Sequence, residues 1–444
     1  MDSLVQKIKN LTSEEISVYA ENLMVGGGTP GPCIVSGKGV RLTDIDGKSY
    51  IDCTSQSWAM YLGFGNQEIR EAIYEHMETM SHIHQGFNTK QRYALAHKLA
   101  SLAPKNLNRV SFTVGGGAAI EAAMKIALKN VPKAKKFCCL WDAYHGSTLT
   151  ASGASWISTK AAGDFTGQLN FLPDVNTNFV RLPNPYCFRC YFGKKAECCN
   201  CECVDFSRLM IEKGVSGPLA GIILEPVQAS GGQIPAPKKY LEKMRALCDE
   251  LGALMIFDEI QTYIRIGDWF AANYYGVEPD IIALGKGLGG GMPIAAIIIH
   301  DRLNGFGMAG EELHTFANNS VSQISALKQI DIVERDNLLL NTVEMGKYIG
   351  DKLKALQDKY PQIGDVRQVG LHIGAEMVDA DTKEEMSKEL TAKIRSTAMA
   401  NGLILGTGGY KKHILKFKPP LIVTKVEGDE IVEIFEKTLG QVFG

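Results

Sequence analysis

The stretch IFDEIQTYIRIG at 256–267, followed by IIALGKGLGGG at 281–291, decides how the rest of this chain is read. ALMIF at 253–257 is an apolar run with the length of a buried strand, so Asp258 falls at the strand's C-terminal end. Open α/β sheets bind ligands at such ends. IIAL, ending at Leu284, delivers Lys286 in the same way, one βαβ crossover further on. An isolated Asp after a strand commonly caps a helix, and an isolated Lys commonly stays in water. Here Gly285, Gly287, Gly289, Gly290 and Gly291 leave the lysine short-walled, with backbone free to approach a ligand. A lysine in such a place can form a Schiff base.

Asp258, Glu259, Ile260 and Gln261, with Lys286 in its Gly-Lys-Gly context, resemble the class-III branch of pyridoxal-phosphate enzymes of the aspartate aminotransferase fold type. The resemblance runs along nearly the whole chain. It implies an α/β protein of fold type I: a large domain with a mainly parallel central sheet, and a smaller α+β domain formed by the N- and C-terminal segments. The expected limits are 66–324 for the large domain, with 1–65 and 325–444 forming the small one. It also implies pyridoxal 5'-phosphate as cofactor. Asp258 would pair with the pyridinium nitrogen and keep it protonated, so that the ring accepts electrons from a substrate carbanion. Lys286 would hold the aldehyde and, once displaced, move the proton between Cα and the cofactor carbon. By the same resemblance Ile260 packs on the ring and Gln261 reaches its phenolic oxygen.

Other stretches fall into this frame in order. In GGGAAIEAAMKIALK, 115–129, Gly116 and Gly117 lie between a strand and a helix, where free N–H groups and the helix dipole suit a phosphate. The family usually places a hydroxyl and an acid here. This chain has Gly117 and Ala118 instead, so backbone, water and a residue from elsewhere would have to hold the phosphate. The resemblance stacks Tyr144 on the ring face, with His145 and Gly146 beside it. It puts Glu225, at the end of LAGIILE, on the active-site floor; a buried acid there needs a partner or a task. Trp58 and Tyr61 wall a substrate pocket or are plain core aromatics. Lys416 stands where the family often has a carboxylate-binding arginine; it supplies charge without the planar fork. Arg265 reads as structural. Thr315 matches a threonine that reaches the partner subunit's phosphate in the family, which implies at least a homodimer.

At 444 residues, 45% hydrophobic and 22% charged, the composition is that of a globular enzyme. A net charge of -2 without a basic block argues against a nucleic-acid or membrane footprint, and no run reaches the roughly 18 apolar residues a spanning helix needs nor does a leader pattern appear, so a cytoplasmic protein is expected. Six of the eleven cysteines crowd into an insertion at 186–204: Cys187, Cys190, Cys198, Cys199, Cys201 and Cys203. The expectation is a reduced loop without metal, with a structural zinc and a redox switch as alternatives. Helices are expected at 67–80 and 90–103, one long helical register at 325–360, strands at 110–114, 363–378 and 413–431, and a GGGTPGP hinge at 26–32. The activity implied is an aminotransferase passing an amino group from an amino acid, ω-amino acid or amine to a 2-oxo acid such as pyruvate or 2-oxoglutarate. A racemase, epimerase, decarboxylase or phospholyase of the same fold uses the same Asp and Lys, and a catalytically silent cofactor-binding protein is the remaining alternative.

Overall fold

The computed structural model describes residues 3–24, 31–156, 178–307 and 310–444; positions 26–30 of the expected hinge lie outside them. Seven strands form the central sheet, in the spatial order Leu107–Thr113, Ala295–His300, Ile281–Leu284, Leu254–Asp258, Leu219–Leu224, Lys136–Leu140, Phe179–Leu182. Five of them run parallel. Ala295–His300 is antiparallel to both its neighbours. Every residue of Leu219–Leu224, Leu254–Asp258 and Ile281–Leu284 is buried, because helices cover both faces of the sheet. The alternation of a pleated strand sorts the side chains. Ile256 packs with Ala119, Ile120 and Ala123 of helix Gly116–Asn130, whereas Met255 and Phe257 share the other core with Leu241 and Met244 of helix Lys238–Leu251.

A second seven-stranded sheet joins the two ends of the chain: Ile34–Lys38, Arg41–Asp44, Ser49–Cys53, Leu403–Gly408, Ile414–Phe417, His372–Met377, Ile363–Val369. Its junction is parallel, with Leu403 opposite Ile51. No strand is expected from the sequence at 403–408, where LILGTG carries two glycines. Its place in mid-sheet, paired on both edges, overrides the poor strand preference of glycine.

The single register expected at 325–360 is instead two helices, Ser320–Arg335 and Leu338–Ala355. Asn337 breaks them with φ 52°, a left-handed conformation that Asn tolerates better than most residues. Helix Leu338–Ala355 rests on the hairpin that follows it. A Cβ added at Gly346 would lie 1.9 Å from the Gly370 carbonyl oxygen, so the two backbones touch there. Gly346→Ala is therefore expected to destabilise by about 1–3 kcal/mol, read as a lowered calorimetric melting midpoint. An unchanged midpoint would mean that this contact does not constrain the fold. Among the described residues, no helix is long and apolar enough to cross a membrane.

Candidate active site

Nine of the residues expected from the sequence line one cavity of about 250 Å³: Gly116, Gly117, Tyr144, His145, Glu225, Asp258, Ile260, Gln261 and Lys286. Strand ends bring them together. Asp258 ends its strand with one carboxylate oxygen accepting the Ile260 N–H at 3.1 Å, the other 2.7 Å from His145 Nδ1. His145 is buried, and its Nε2 has no hydrogen-bond partner among the described residues. The sequence offers no signal for this Asp–His pair, because 113 positions separate its members. Glu225 accepts from the N–H of Tyr144 at 3.0 Å and of Ala229 at 3.1 Å. Burial pushes its carboxyl up to about 7; charge on His145 opposes the rise and Asp258 adds to it.

Lys286 follows Gly285 at the start of the short 3-10 turn Lys286–Gly289 and has φ 43°, a strained value for a residue with a side chain. Burial lowers the pKa of its amine, while Asp258 and Glu225 favour the charged form. Its Nζ lies 6.0 Å from the centre of the Tyr144 ring and 5.6 Å from that of Trp58.

Gly116 and Gly117 open helix Gly116–Asn130, whose N-cap Gly115 has no side chain to cap the free N–H groups. A Cβ at Gly116 would stand 2.9 Å from Ile260 Cδ1, so the helix start and Ile260 are in direct contact. The hydroxyls missing from this loop enter from the segment after Tyr144. Ser147 and Thr148 line the same cavity, and Thr148 Oγ1 donates to Glu121 at 2.7 Å. Sequence reasoning left both unassigned, although they directly follow the Tyr-His-Gly turn.

Trp58 sits on an unusual turn. Ser55, Gln56, Ser57 and Trp58 have φ of 44°, 45°, 59° and 68°, a left-handed run that costs on the order of 1 kcal/mol per residue. The surroundings hold it in place. Asp52 accepts from Thr54 N–H at 2.8 Å, Thr54 Oγ1 at 2.6 Å and Gln56 N–H at 3.1 Å. Arg265 donates from Nη2 to Ser55 Oγ at 2.8 Å, and that hydroxyl donates to the Lys418 carbonyl at 2.7 Å. Arg265 is fully buried and also donates to the Pro419 carbonyl at 2.8 Å, in keeping with the structural reading. Tyr61 is buried beneath Gly287 with Arg265 4.9 Å over its ring, so of its two readings the core one applies.

Trp58 thereby stands close to two further lysines, with Lys416 Nζ 4.6 Å and Lys418 Nζ 4.3 Å from its ring centre. Lys418 was not singled out from the sequence. It is fully buried, donates to Gln261 Oε1 at 3.2 Å, and burial holds its pKa well below the ordinary lysine value. The period-2 spacing from Lys416 is the signal that points to it. His372 Nε2 donates to the Gln261 carbonyl at 2.8 Å, fixing the same residue's backbone. Thr315 is exposed and does not line this cavity. All eleven cysteines are free thiols, and among the described residues no group of three or more His, Cys, Asp or Glu is placed to hold a metal.

The donor set suits a phosphorylated aromatic aldehyde: a buried amine of lowered pKa, an acid opposite it, an orphaned imidazole nitrogen, and an uncapped helix start flanked by hydroxyls. Comparison with known proteins agrees. The family model "Aminotransferase class-III" matches residues 26–439. The chain is 32% identical to a leucine/methionine racemase of Thermococcus litoralis, over 92% of this chain and 90% of the other. It is 33% identical to an adenosylmethionine-8-amino-7-oxononanoate aminotransferase of Geobacter sulfurreducens, over 93% and 92%. The crystal structure of an (S)-enantioselective omega-transaminase from Thermomicrobium roseum superposes with a TM-score of 0.86 at 28% identity, covering 98% of this chain and 99% of that one. The protein therefore belongs to the class-III aminotransferases, a family of enzymes that depend on pyridoxal phosphate.

Proposed function

We propose that this aminotransferase takes its amino group from a donor bearing a carboxylate and passes it to a 2-oxo acid such as pyruvate or 2-oxoglutarate, with Lys286 as its catalytic base. The observation that carries the reading is a buried, low-pKa lysine amine sharing one cavity with Asp258. When bound, pyridoxal phosphate supplies an aldehyde for the amino group and a ring that accepts electrons from the substrate Cα. Lys286, whose amine burial shifts toward the uncharged form, would hold that aldehyde and would serve as the base at the Cα proton. Asp258, oriented by His145, supplies the negative charge that holds a ring nitrogen protonated. Tyr144 and Ile260, which line the cavity, would hold the ring, and the N–H groups at Gly116 and Gly117 with Ser147 and Thr148 would hold its phosphate. Gln261, whose Oε1 accepts from Lys418, would hold the phenolic oxygen.

Lys416 and Trp58 receive the donor's carboxylate side. Burial lowers the Lys416 ammonium to about 7; Lys412, Lys286 and Arg395 repel its charge and Glu225 favours it. Lys416 thus attracts a carboxylate below that pH and loses the charge above it. KM for a carboxylate-bearing donor is expected to climb by up to about tenfold per pH unit above 7, with Lys416→Arg flattening the climb. A pH-independent KM in the unsubstituted enzyme would rule out this role.

Thr315, exposed and away from its own chain's cavity, completes the phosphate site of a second copy, so the active species is a homodimer. The large domain spans 66–324 and the enzyme works in the cytoplasm. The test is an absorbance spectrum of the purified protein, repeated after adding single amines without any oxo acid. Bleaching of the cofactor band with stoichiometric oxo product establishes amino transfer and names the donor. The 32% identity to a racemase supports a second reading, in which the band is retained and deuterium from heavy water enters Cα without oxo product. Absence of any band after adding cofactor overturns both.

A further inference from the structure

Outside the cofactor cavity, a second cavity of about 280 Å³ lies beside the same strand end. Its walls include Trp141, Trp156, Tyr191 and Tyr410, and Asp142 and His413 also line it. The rings are paired edge to face, Trp141 on Tyr191 at 5.0 Å between centroids and Trp156 on Tyr410 at 5.4 Å. The acid is hydrogen-bonded by neutral donors. Asp142 accepts from Asn184 Nδ2 at 3.0 Å and is hydrogen-bonded to Tyr191; burial pushes its carboxyl up to about 6, against the pull of these donors and of charge on His413. The other charged groups here are already matched: Arg189 hydrogen-bonds Glu376, and Glu385 pairs with Lys411 at 2.9 Å. His413 is 1% exposed; its Nε2 faces the carboxylates of Glu376 and Glu385 at 3.4 and 3.7 Å, and its Nδ1 has no hydrogen-bond partner among the described residues.

Electron-rich ring walls, a carboxyl bonded only by neutral donors and an unpartnered imidazole Nδ1 share one electrostatic demand, which is a compact organic cation with an N–H. We propose that this cavity is a binding site for an alkylammonium group, with Asp142 as its counter-charge, the aromatic walls as its cage and His413 as its acceptor. Its place explains why such a site lies here. Asp142 precedes the cofactor-ring residue Tyr144 by two positions, and Gly409, which lines the cavity, follows Gly408, where an added Cβ would meet Lys416 Cδ at 3.3 Å. The cage therefore adjoins the carboxylate side of the active site.

Two sources share this chemistry: the far ammonium of a diamino substrate, and a free amine that binds as an effector. Trimethylammonium chloride is the probe for the site itself, since it has an N–H but cannot condense with an aldehyde. Titrated into the holoenzyme against potassium chloride at constant ionic strength, it should change tryptophan fluorescence saturably. Asp142→Asn should raise the half-saturating concentration roughly tenfold or more, and Tyr410→Leu, at a ring 41% exposed, several-fold. Asp142→Asn is judged only if its melting midpoint is retained; Tyr410→Leu then decides alone. A response no different from potassium chloride, or one unmoved by both variants, overturns the proposal. The source is read separately, in an arm that rests on the aminotransferase reading. If 1,5-diaminopentane shifts the cofactor band at lower concentration than pentylamine, and Asp142→Asn abolishes the advantage, the cage holds the far end of the substrate. Equal potency with retained trimethylammonium binding assigns it to an effector. Failure of the cofactor band itself would sink the aminotransferase reading and leave the fluorescence result standing.

Discussion

Lys286→Ala is expected to lower turnover by at least about 10⁴-fold, because one substitution removes both the covalent anchor and the proton-moving base. The loss should be chemical rather than structural. The lysine amine is buried without a salt-bridge partner, and Trp58 and Tyr144 stand at 5.6 and 6.0 Å, so the alanine variant leaves the surrounding rings in place. Three readouts separate the roles. Gel filtration should strip the cofactor from the variant while the parent keeps it, and the melting midpoint of the cofactor-free forms should agree. Added methylamine should restore a small part of the proton transfer, since a free amine of suitable pKa replaces the missing base. Turnover within about tenfold of the parent would assign the base to another residue, Glu225 being the nearest candidate by burial and pKa.

The second large effect is expected at Asp258. Asp258→Asn keeps the shape and removes the charge, so turnover should fall by about 10³-fold with cofactor still retained through Lys286 and the helix start. His145 is the control. It touches the carboxylate at 2.7 Å but has no other hydrogen bond from its ring, so His145→Phe should cost only about tenfold and shift the cofactor's absorbance in the direction of Asp258→Asn. If the two variants are equally damaging, the imidazole itself takes part in the reaction. If Asp258→Asn is harmless, the ring nitrogen does not depend on this acid.

The cofactor half of the site was legible in the sequence because each residue sits at a strand end or helix start whose local pattern is strong. Asp258, Lys286, Gly116 and Glu225 all follow apolar runs that could only be buried strands, or open an alanine-rich helix. On the other side, Trp58 and Lys416 were named from the sequence but their surroundings were not. Lys418 reads as a solvated side chain until Gln261 and Trp58 are seen around it. The left-handed run at Ser55–Trp58 contains no glycine to announce it, and is set by Asp52 before it and Arg265 from another part of the chain. The glycine-rich strand Leu403–Gly408 was missed because tertiary pairing, not propensity, decides it.

The sheet that joins the chain's two ends sets a timetable for biosynthesis. Ser55 and Lys418, bonded to each other, stand 363 positions apart. At roughly 5–20 residues per second, the N-terminal strands wait on the order of tens of seconds at the ribosome before Leu403–Gly408 emerges to cover their edge. All seven strands of the central sheet leave the tunnel earlier, so the cofactor half can fold on the nascent chain while Trp58 and its lysines remain unassembled. Lys416 and Lys418 are thus among the last side chains to arrive, and the surroundings of Trp58 are completed after the strand ends that carry Asp258 and Lys286 are in place.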